Sequence, residues 1–350
     1  MDTGLLIEKS VLVLIIFLIS LGIAAYQTYF ERKLAAWIQD RVGPDRAGPF
    51  GILQPIADGV KMFLKEDFIP KDADKWLFII GPGIAMFTSL ITSAIIPWGT
   101  DLELFGRTIT LQVADFNIGI LYLFAVLSIS VYGIMIGGWA SNNKYSLYGA
   151  IRASSQMISY ELAMGISAIT IIMLSGSLSL TDIVNKQHGF NWNIWYQPVC
   201  FIVFFICSMA ETNRAPFDLP ECENELIGGY HTEYSSMKLG LYLFSEYTAM
   251  FISSAIMAIL FLGGYNFPGM DSDFFKDHNN LLAITSIIVF FSKIFLFIFI
   301  FMWIRWTIPR FRFDQLMHLG WKVLIPVAMV NLLITGIVIA IKEGWFNELM

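Results

Sequence analysis

Three carboxylates in this 350-residue chain stand where a membrane would make ionisation expensive. Glu161 and Glu246 each interrupt an otherwise apolar run of membrane-spanning length, roughly 12 Å in from its N-terminal end. Glu211 closes a third such run at the same side. An ionised carboxylate at that depth costs at least about 2–3 kcal/mol, so such residues line a polar cavity, pair with a base or hold a proton. One such acid can simply hydrogen-bond a neighbouring helix, whereas three on one side favour shared chemistry, a path for protons or cations. Lys293, near the middle of another run, is open to two readings: a partner for one of these acids, or a member of a proton relay.

The segment 211–238, ETNRAPFDLPECENELIGGYHTEYSSMK, sets Glu211, Asp218, Glu221, Glu223, Glu225 and Glu233 against Arg214 before Lys238 is reached. An acidic mouth of this kind would draw protons or cations towards Glu161 and Glu246. A solvated connector carries the same charges, but Pro216, Phe217, Leu219 and Pro220 interleave with them, as in a loop packed against protein. Glu31, Arg32 and Lys33 precede Trp37, with Arg41 and Arg46 beyond; by residue type alone this is a basic anchor with a tryptophan at the membrane surface. The four histidines are scattered outside the apolar runs, and Cys200, Cys207 and Cys222 form no Cys-x-x-Cys pair with a histidine at ligand spacing. No metal, flavin or iron-sulfur cluster is expected on this chain.

The composition says what must position these residues. With 56% hydrophobic and 14% charged residues, against about 25% charged in soluble domains, the chain needs the bilayer as its solvent. A soluble, disordered, coiled-coil or disulfide-stapled secreted protein is excluded. Eight runs, at about 10–30, 76–98, 116–141, 153–180, 192–210, 239–263, 281–304 and 323–341, reach the length of about 20 residues that a spanning helix needs. The expectation is one all-α, polytopic integral membrane domain over residues 1–350, its first run a retained helix rather than a cleaved signal.

Sixteen of the 22 Lys and Arg residues lie in the loops after runs one, three, five and seven. The positive-inside rule therefore puts those loops in the cytoplasm and both termini on the opposite side. In the first of them, Ile52, Ile56, Val60 and Phe63 share one helical face while Gln54, Asp58, Lys61 and Lys65 share another, which predicts an amphipathic helix at about 51–66. At roughly 21 Å it is too short to cross a hydrocarbon core of about 30 Å, so it should lie at the interface or against the bundle. A net charge of −6 leaves no basic surface for nucleic acid.

Four stretches carry a family resemblance: ERKLAAWIQDRVGPDRAGPFGILQPIADGVKMFLKED (31–67), IRASSQMISYE (151–161), AETNRAPFDLPECENELIGGYHTEY (210–234) and WIRWTIPRFRFDQLMHLGWK (303–322). Together they resemble, nearly end to end, the H subunits of proton-pumping NADH:quinone oxidoreductase, respiratory complex I, equivalent to the mitochondrially encoded subunit 1. The likeness fades in the connectors at 100–115 and 180–195. It implies the membrane side of a quinone chamber completed by two peripheral-arm subunits, with Glu31, Arg32, Trp37, Arg41, Asp58, Lys61, Arg214, Phe217 and Asp218 on its wall. It also implies a buried acidic route towards antiporter-like subunits through Glu211, Glu221, Glu223, Tyr160, Glu161 and Glu246, with runs two to six resembling half of an antiporter fold. The implied substrate is a quinone, ubiquinone or menaquinone, reduced by a peripheral iron-sulfur cluster; the implied partners are the peripheral-arm, small and antiporter-like membrane subunits, in an energy-coupling membrane.

Two other classes compete. A membrane anchor of a related energy-converting hydrogenase resembles the same family, but the unbroken 31–67 stretch favours the quinone enzyme. A stand-alone proton or cation transporter would need charges across the whole membrane, whereas runs one, two, three and eight carry none.

Overall fold

Each helix starts and stops where its local chemistry dictates, and several boundaries differ from those of the apolar runs. The computed structural model describes residues 3–104, 107–218, 227–270, 272, 275 and 278–342. Helix α1 runs Thr3–Ile38, well past its apolar stretch, so Glu31, Arg32, Lys33 and Trp37 lie on the helix and not in a loop. After a kinked turn comes the amphipathic α2, Gln54–Leu64, opened by Pro55, whose missing N–H costs nothing in a first turn.

Helix α3 (Lys75–Thr92) is capped by the Asp74 carboxylate, which accepts from the Trp76 and Leu77 amides. A short antiparallel hairpin, β1 (Leu102–Leu104) with β2 (Arg107–Ile109), pairs Leu102 with Ile109 and leads to α4, Gly119–Ala140. Helix α5 runs Lys144–Ser175, between an Asn143 cap and Gly176 in the left-handed region at φ 59°. It begins nine residues before its apolar run, so Glu161 sits at the middle of a 32-residue helix rather than near its first turn. Two short helices, α6 (Leu180–Asn185) and α7 (Asn193–Tyr196), precede α8, Pro198–Glu211.

Pro198 explains why the fifth apolar run is not one helix. The residue before a proline is pushed out of the helical region, and Gln197 has φ −134° and ψ 58°. The remaining helix has 14 residues and is about 21 Å long. Helices α9 (Ser236–Leu262) and α10 (Asn279–Thr307) follow, and the last rod runs from α11 (Phe313–His318) through a π turn, Leu319–Leu324, into α12, Ile325–Lys342. Pro326 cannot donate to the Lys322 carbonyl, and the π turn lies just before it. Among the described residues seven helical rods are long and apolar enough to cross a bilayer, and α8 is a shorter eighth. The architecture is all-α and polytopic.

Helix α9 is the axis of the bundle, with every residue from Met250 to Leu262 buried. It packs on α1, α3 and α10, while α3, α4, α5 and α8 pack in succession around it and α12 covers α5 and α8. The α3–α4 crossing depends on glycine: a Cβ on Gly133 would stand 2.8 Å from the Ala85 nitrogen. The Tyr242 hydroxyl uses this close approach, reaching from α9 to donate to the Gly133 carbonyl at 3.0 Å.

Candidate functional site

The site grows from the buried end of α1. Glu31 is 4% exposed and accepts from Arg214 Nη1 at 3.0 Å, from the Tyr247 hydroxyl at 2.8 Å and from Arg305 Nη1. Four elements therefore meet at one carboxylate: α1, the segment after α8, α9 and the end of α10. Arg214 lies with its guanidinium carbon 3.5 Å from the centroid of the Tyr247 ring, and its Nη2 is 3.8 Å from Glu246 Oε2. Burial works against its charge, but Tyr247, Glu31 and Glu246 outweigh that and hold the guanidinium above the ordinary arginine range. The second oxygen of Glu246 accepts from the Tyr230 hydroxyl at 3.1 Å.

Two cavities flank this network. The first, of about 230 Å³, lies between α1, α2 and α9 and is bounded by Arg32, Asp58, Lys61, Arg214, Tyr247 and Arg305. Arg32 reaches Asp58 at 2.7 Å and so ties α1 to α2, with Lys61 a further 3.7 Å from the same carboxylate. The second cavity is internal, between α3, α4, α8 and α9, and offers about 40 Å³ to the centres of water molecules, room for about three. Its walls include Glu211, Tyr230, Tyr242 and the hydroxyls of Thr88, Ser130 and Ser245. Glu211 Oε2 and Asn213 Oδ1 are buried and have no hydrogen-bond partner among the described residues, which suits a hydrated space. Glu246 is a wall of both cavities.

The remaining acids and their neighbours divide. Glu161 is half-buried and accepts from Ser128 across the α4–α5 contact, within electrostatic reach of Glu211. Tyr160, fully buried, donates to the Leu316 carbonyl at 2.9 Å rather than to an acid, and its ring meets Phe217 edge-on at 5.6 Å. Phe217 is core: it packs between Tyr160 and Phe311, so it supports the Arg214 turn without facing either cavity. Asp218 is 2% exposed and 3.3 Å from Arg310 Nη2, binding this segment to the one after α10.

Arg41 turns away to Gln39 at 2.7 Å. Trp37 is 76% exposed and flanks a separate apolar groove of about 800 Å³ between α1 and α10. Glu221 and Glu223 lie outside the described residues.

Lys293 bonds backbone carbonyls rather than the acid partner that one of its two sequence readings expects. Its ammonium donates to the carbonyls of Leu262 (2.7 Å), Gly264 (2.8 Å) and Asn266 (2.6 Å), with the Trp192 ring 5.1 Å away. Three donors meet three acceptors at the C-terminal end of α9 and the turn after it, where carbonyls lack helical partners, so the lysine caps that helix, and no ion pair joins it to an acid among the described residues.

Arg305, Tyr247, Tyr230 and Ser128 belong to the site although residue type does not announce them. Arg305 resembles any interfacial base, and Tyr247 and Tyr230 resemble aromatic filling. The available signal is adjacency, Tyr247 following Glu246 and Arg305 ending an apolar run. Among the described residues no group of three or more His, Cys, Asp or Glu is placed to hold a metal.

Known proteins resemble this sequence over nearly its whole length. The family model described as NADH dehydrogenase matches residues 10–336. Proteins named as the H subunits of NADH-quinone oxidoreductase are similar throughout: the one from Flavobacterium johnsoniae is 59% identical over 97% of both chains. An H subunit from Cytophaga hutchinsonii is 62% identical over 95% of this chain and 96% of its own, and one from Geobacter metallireducens is 49% identical over 94% and 95%. With its motifs, its helical bundle and its full-length relatives in agreement, the chain belongs to the NADH dehydrogenase family.

Proposed function

We infer that this chain is the H-type membrane subunit of an NADH-quinone oxidoreductase, working in a multisubunit oxidoreductase of an energy-coupling membrane with a quinone as substrate. The relatives' names and the polytopic helical fold support this. In this reading the cavity between α1, α2 and α9 is the membrane side of the quinone chamber, which peripheral-arm subunits complete. The loops that follow α1, α4, α8 and α10 face the cytoplasm, where most basic residues fall.

The observation that carries the functional reading is that Glu246 lines both cavities, the one read here as the chamber and the internal one. A charge that develops on quinone beside Arg214 and Arg305 changes the field at Glu246, and buried carboxylates change protonation in response to such a field. The internal cavity then offers a route through Glu211 and, beyond it, Glu161 towards the neighbouring membrane subunits. Glu31, bonded by both arginines and Tyr247, is the fixed anion that keeps two guanidiniums in place. Glu246, held by a longer arginine contact and a phenol, is the exchanging acid. Glu221 and Glu223 belong to the same acidic route in this reading.

The test is purification of a tagged copy in mild detergent, with identification of what accompanies it and an assay of NADH:quinone reduction. Copurified flavin, iron-sulfur and antiporter-like subunits, with inhibitor-sensitive quinone reduction, are expected. A hydrogenase catalytic subunit, or the chain alone, contradicts the reading.

A further inference from the structure

Resting on that reading of Glu246, we propose that Tyr230 is the positioning residue of the exchanging acid: its hydroxyl holds the Glu246 carboxylate at the boundary between the two cavities. Tyr230 is 2% exposed and its hydroxyl stands 3.1 Å from Glu246 Oε1, whereas Arg214 approaches the other oxygen, Oε2. Its ring is fixed edge-on against Tyr242, 5.0 Å between centroids, and Tyr242 is itself anchored on the Gly133 carbonyl at the α3–α4 crossing.

The backbone of Tyr230 is fixed too. Gly229, with φ 62°, passes so close to Gly149 of α5 that a Cβ on Gly149 would stand 2.7 Å from it. Asn143 at the start of α5 donates to Glu233 at 2.6 Å, and Tyr234 stacks on Phe78 of α3. A ring with so little freedom keeps its hydroxyl oxygen in one place, 3.1 Å from Glu246 Oε1.

The consequence is specific. A phenol donates to an ionised carboxylate more strongly than to a protonated one, so Tyr230 favours the form of Glu246 that can accept a proton. The ionisable groups that line the two cavities with Glu246 are Glu211, Tyr230 and Tyr242 in the internal one and Arg32, Asp58, Lys61, Arg214, Tyr247 and Arg305 in the chamber; Glu31 faces it across the shared Arg214, and His231 lies edge-on to the Tyr230 ring at 5.2 Å. Tyr230 lies in the segment that ends the acidic mouth, so this bond also ties that segment to the proton-exchanging group.

The test is the pH profile of quinone reduction by the assembled complex carrying Tyr230→Phe, with Tyr234→Phe as the neighbouring control and Glu246→Gln as the reference. In Y230F the acid-side fall in rate should move to higher pH by about one unit, and the rate at neutral pH should drop several-fold. Y234F, which removes a hydroxyl that donates to the Phe78 carbonyl, should not move it. Replacement of Tyr230 by 3,5-difluorotyrosine, a more acidic phenol of nearly the same shape, should move the acid limb the other way, and it carries the test if Y230F does not assemble. An unmoved limb in Y230F or in the difluorotyrosine protein, or an equal shift in Y234F, overturns the role of Tyr230. If E246Q itself reduces quinone and pumps protons normally, the underlying reading of Glu246 fails instead.

Discussion

Arg214 and Tyr247 lie face to face, guanidinium carbon to ring centroid 3.5 Å, while the Tyr247 hydroxyl donates to the carboxylate that also holds Arg214. One side chain thus serves a buried cation twice, through its ring and through its acid partner. Cation–π contacts contribute about 2 kcal/mol where water is excluded, and a hydrogen bond to a charged group about 1.5–3 kcal/mol. Tyr247→Phe keeps the first and loses the second, so it should slow quinone reduction about tenfold. Tyr247→Ala loses both and should slow it at least about tenfold more, with a lower thermal midpoint. Equal rates in the two variants would show that the ring contact contributes nothing.

Glu31→Gln leaves Arg214 and Arg305 sharing too little negative charge in a buried site. Removing one partner of a buried pair costs about 3–5 kcal/mol. The amount of assembled complex, read on a native gel, should fall sharply, and Glu31→Asp should recover only part of it. Normal assembly of E31Q would contradict the fixed-anion role.

Lys293 separates capping from relay. In Lys293→Met three carbonyls at the end of α9 lose a charged donor, and bonds of that kind are individually worth about 1.5–3 kcal/mol. The complex should be less stable to heat, but the protons moved per electron in the surviving fraction should equal wild type. A reduced ratio with unchanged stability would place Lys293 in the relay instead.

The Arg32–Asp58 pair is partly exposed, 46% and 25% by side chain. Such pairs contribute less than about 1 kcal/mol to stability. Asp58→Asn should therefore leave the thermal midpoint within a few degrees while it loosens α2 from α1, raising the KM for quinone several-fold and leaving kcat little changed. A lowered kcat with an unchanged KM would contradict a chamber-wall role.

How much of the molecule is legible in its sequence follows from physical range. An apolar run of about 20 residues is a local property, so the spanning helices and the amphipathic α2 can be read directly. Their ends cannot, because ends depend on caps and breakers: Asn143 and Gly176 define α5, and Pro198 cuts the fifth run short. Hydrophobicity stops α1 at residue 30, whereas the helix continues because Glu31 finds its partners on other elements.

The acids stand out because a charge in an apolar run is conspicuous. Tyr230, Tyr247 and Arg305 do not, since aromatic residues and a base at a membrane edge are common. Their importance comes from packing between segments far apart in the chain. The capping partners of Lys293 are hidden for the same reason: the carbonyls belong to the end of α9 and the turn after it, and no spacing announces them.

In the proposed mechanism Glu246 passes protonation changes from the chamber to the internal cavity. The most direct test is the number of protons moved per NADH oxidised in sealed vesicles carrying Glu246→Gln, a variant that preserves shape and can still bond Tyr230 but cannot exchange a proton. With assembly confirmed by wild-type NADH oxidation to a water-soluble acceptor, quinone-dependent proton translocation should fall at least about tenfold. A wild-type proton ratio at a wild-type rate in that variant would contradict it.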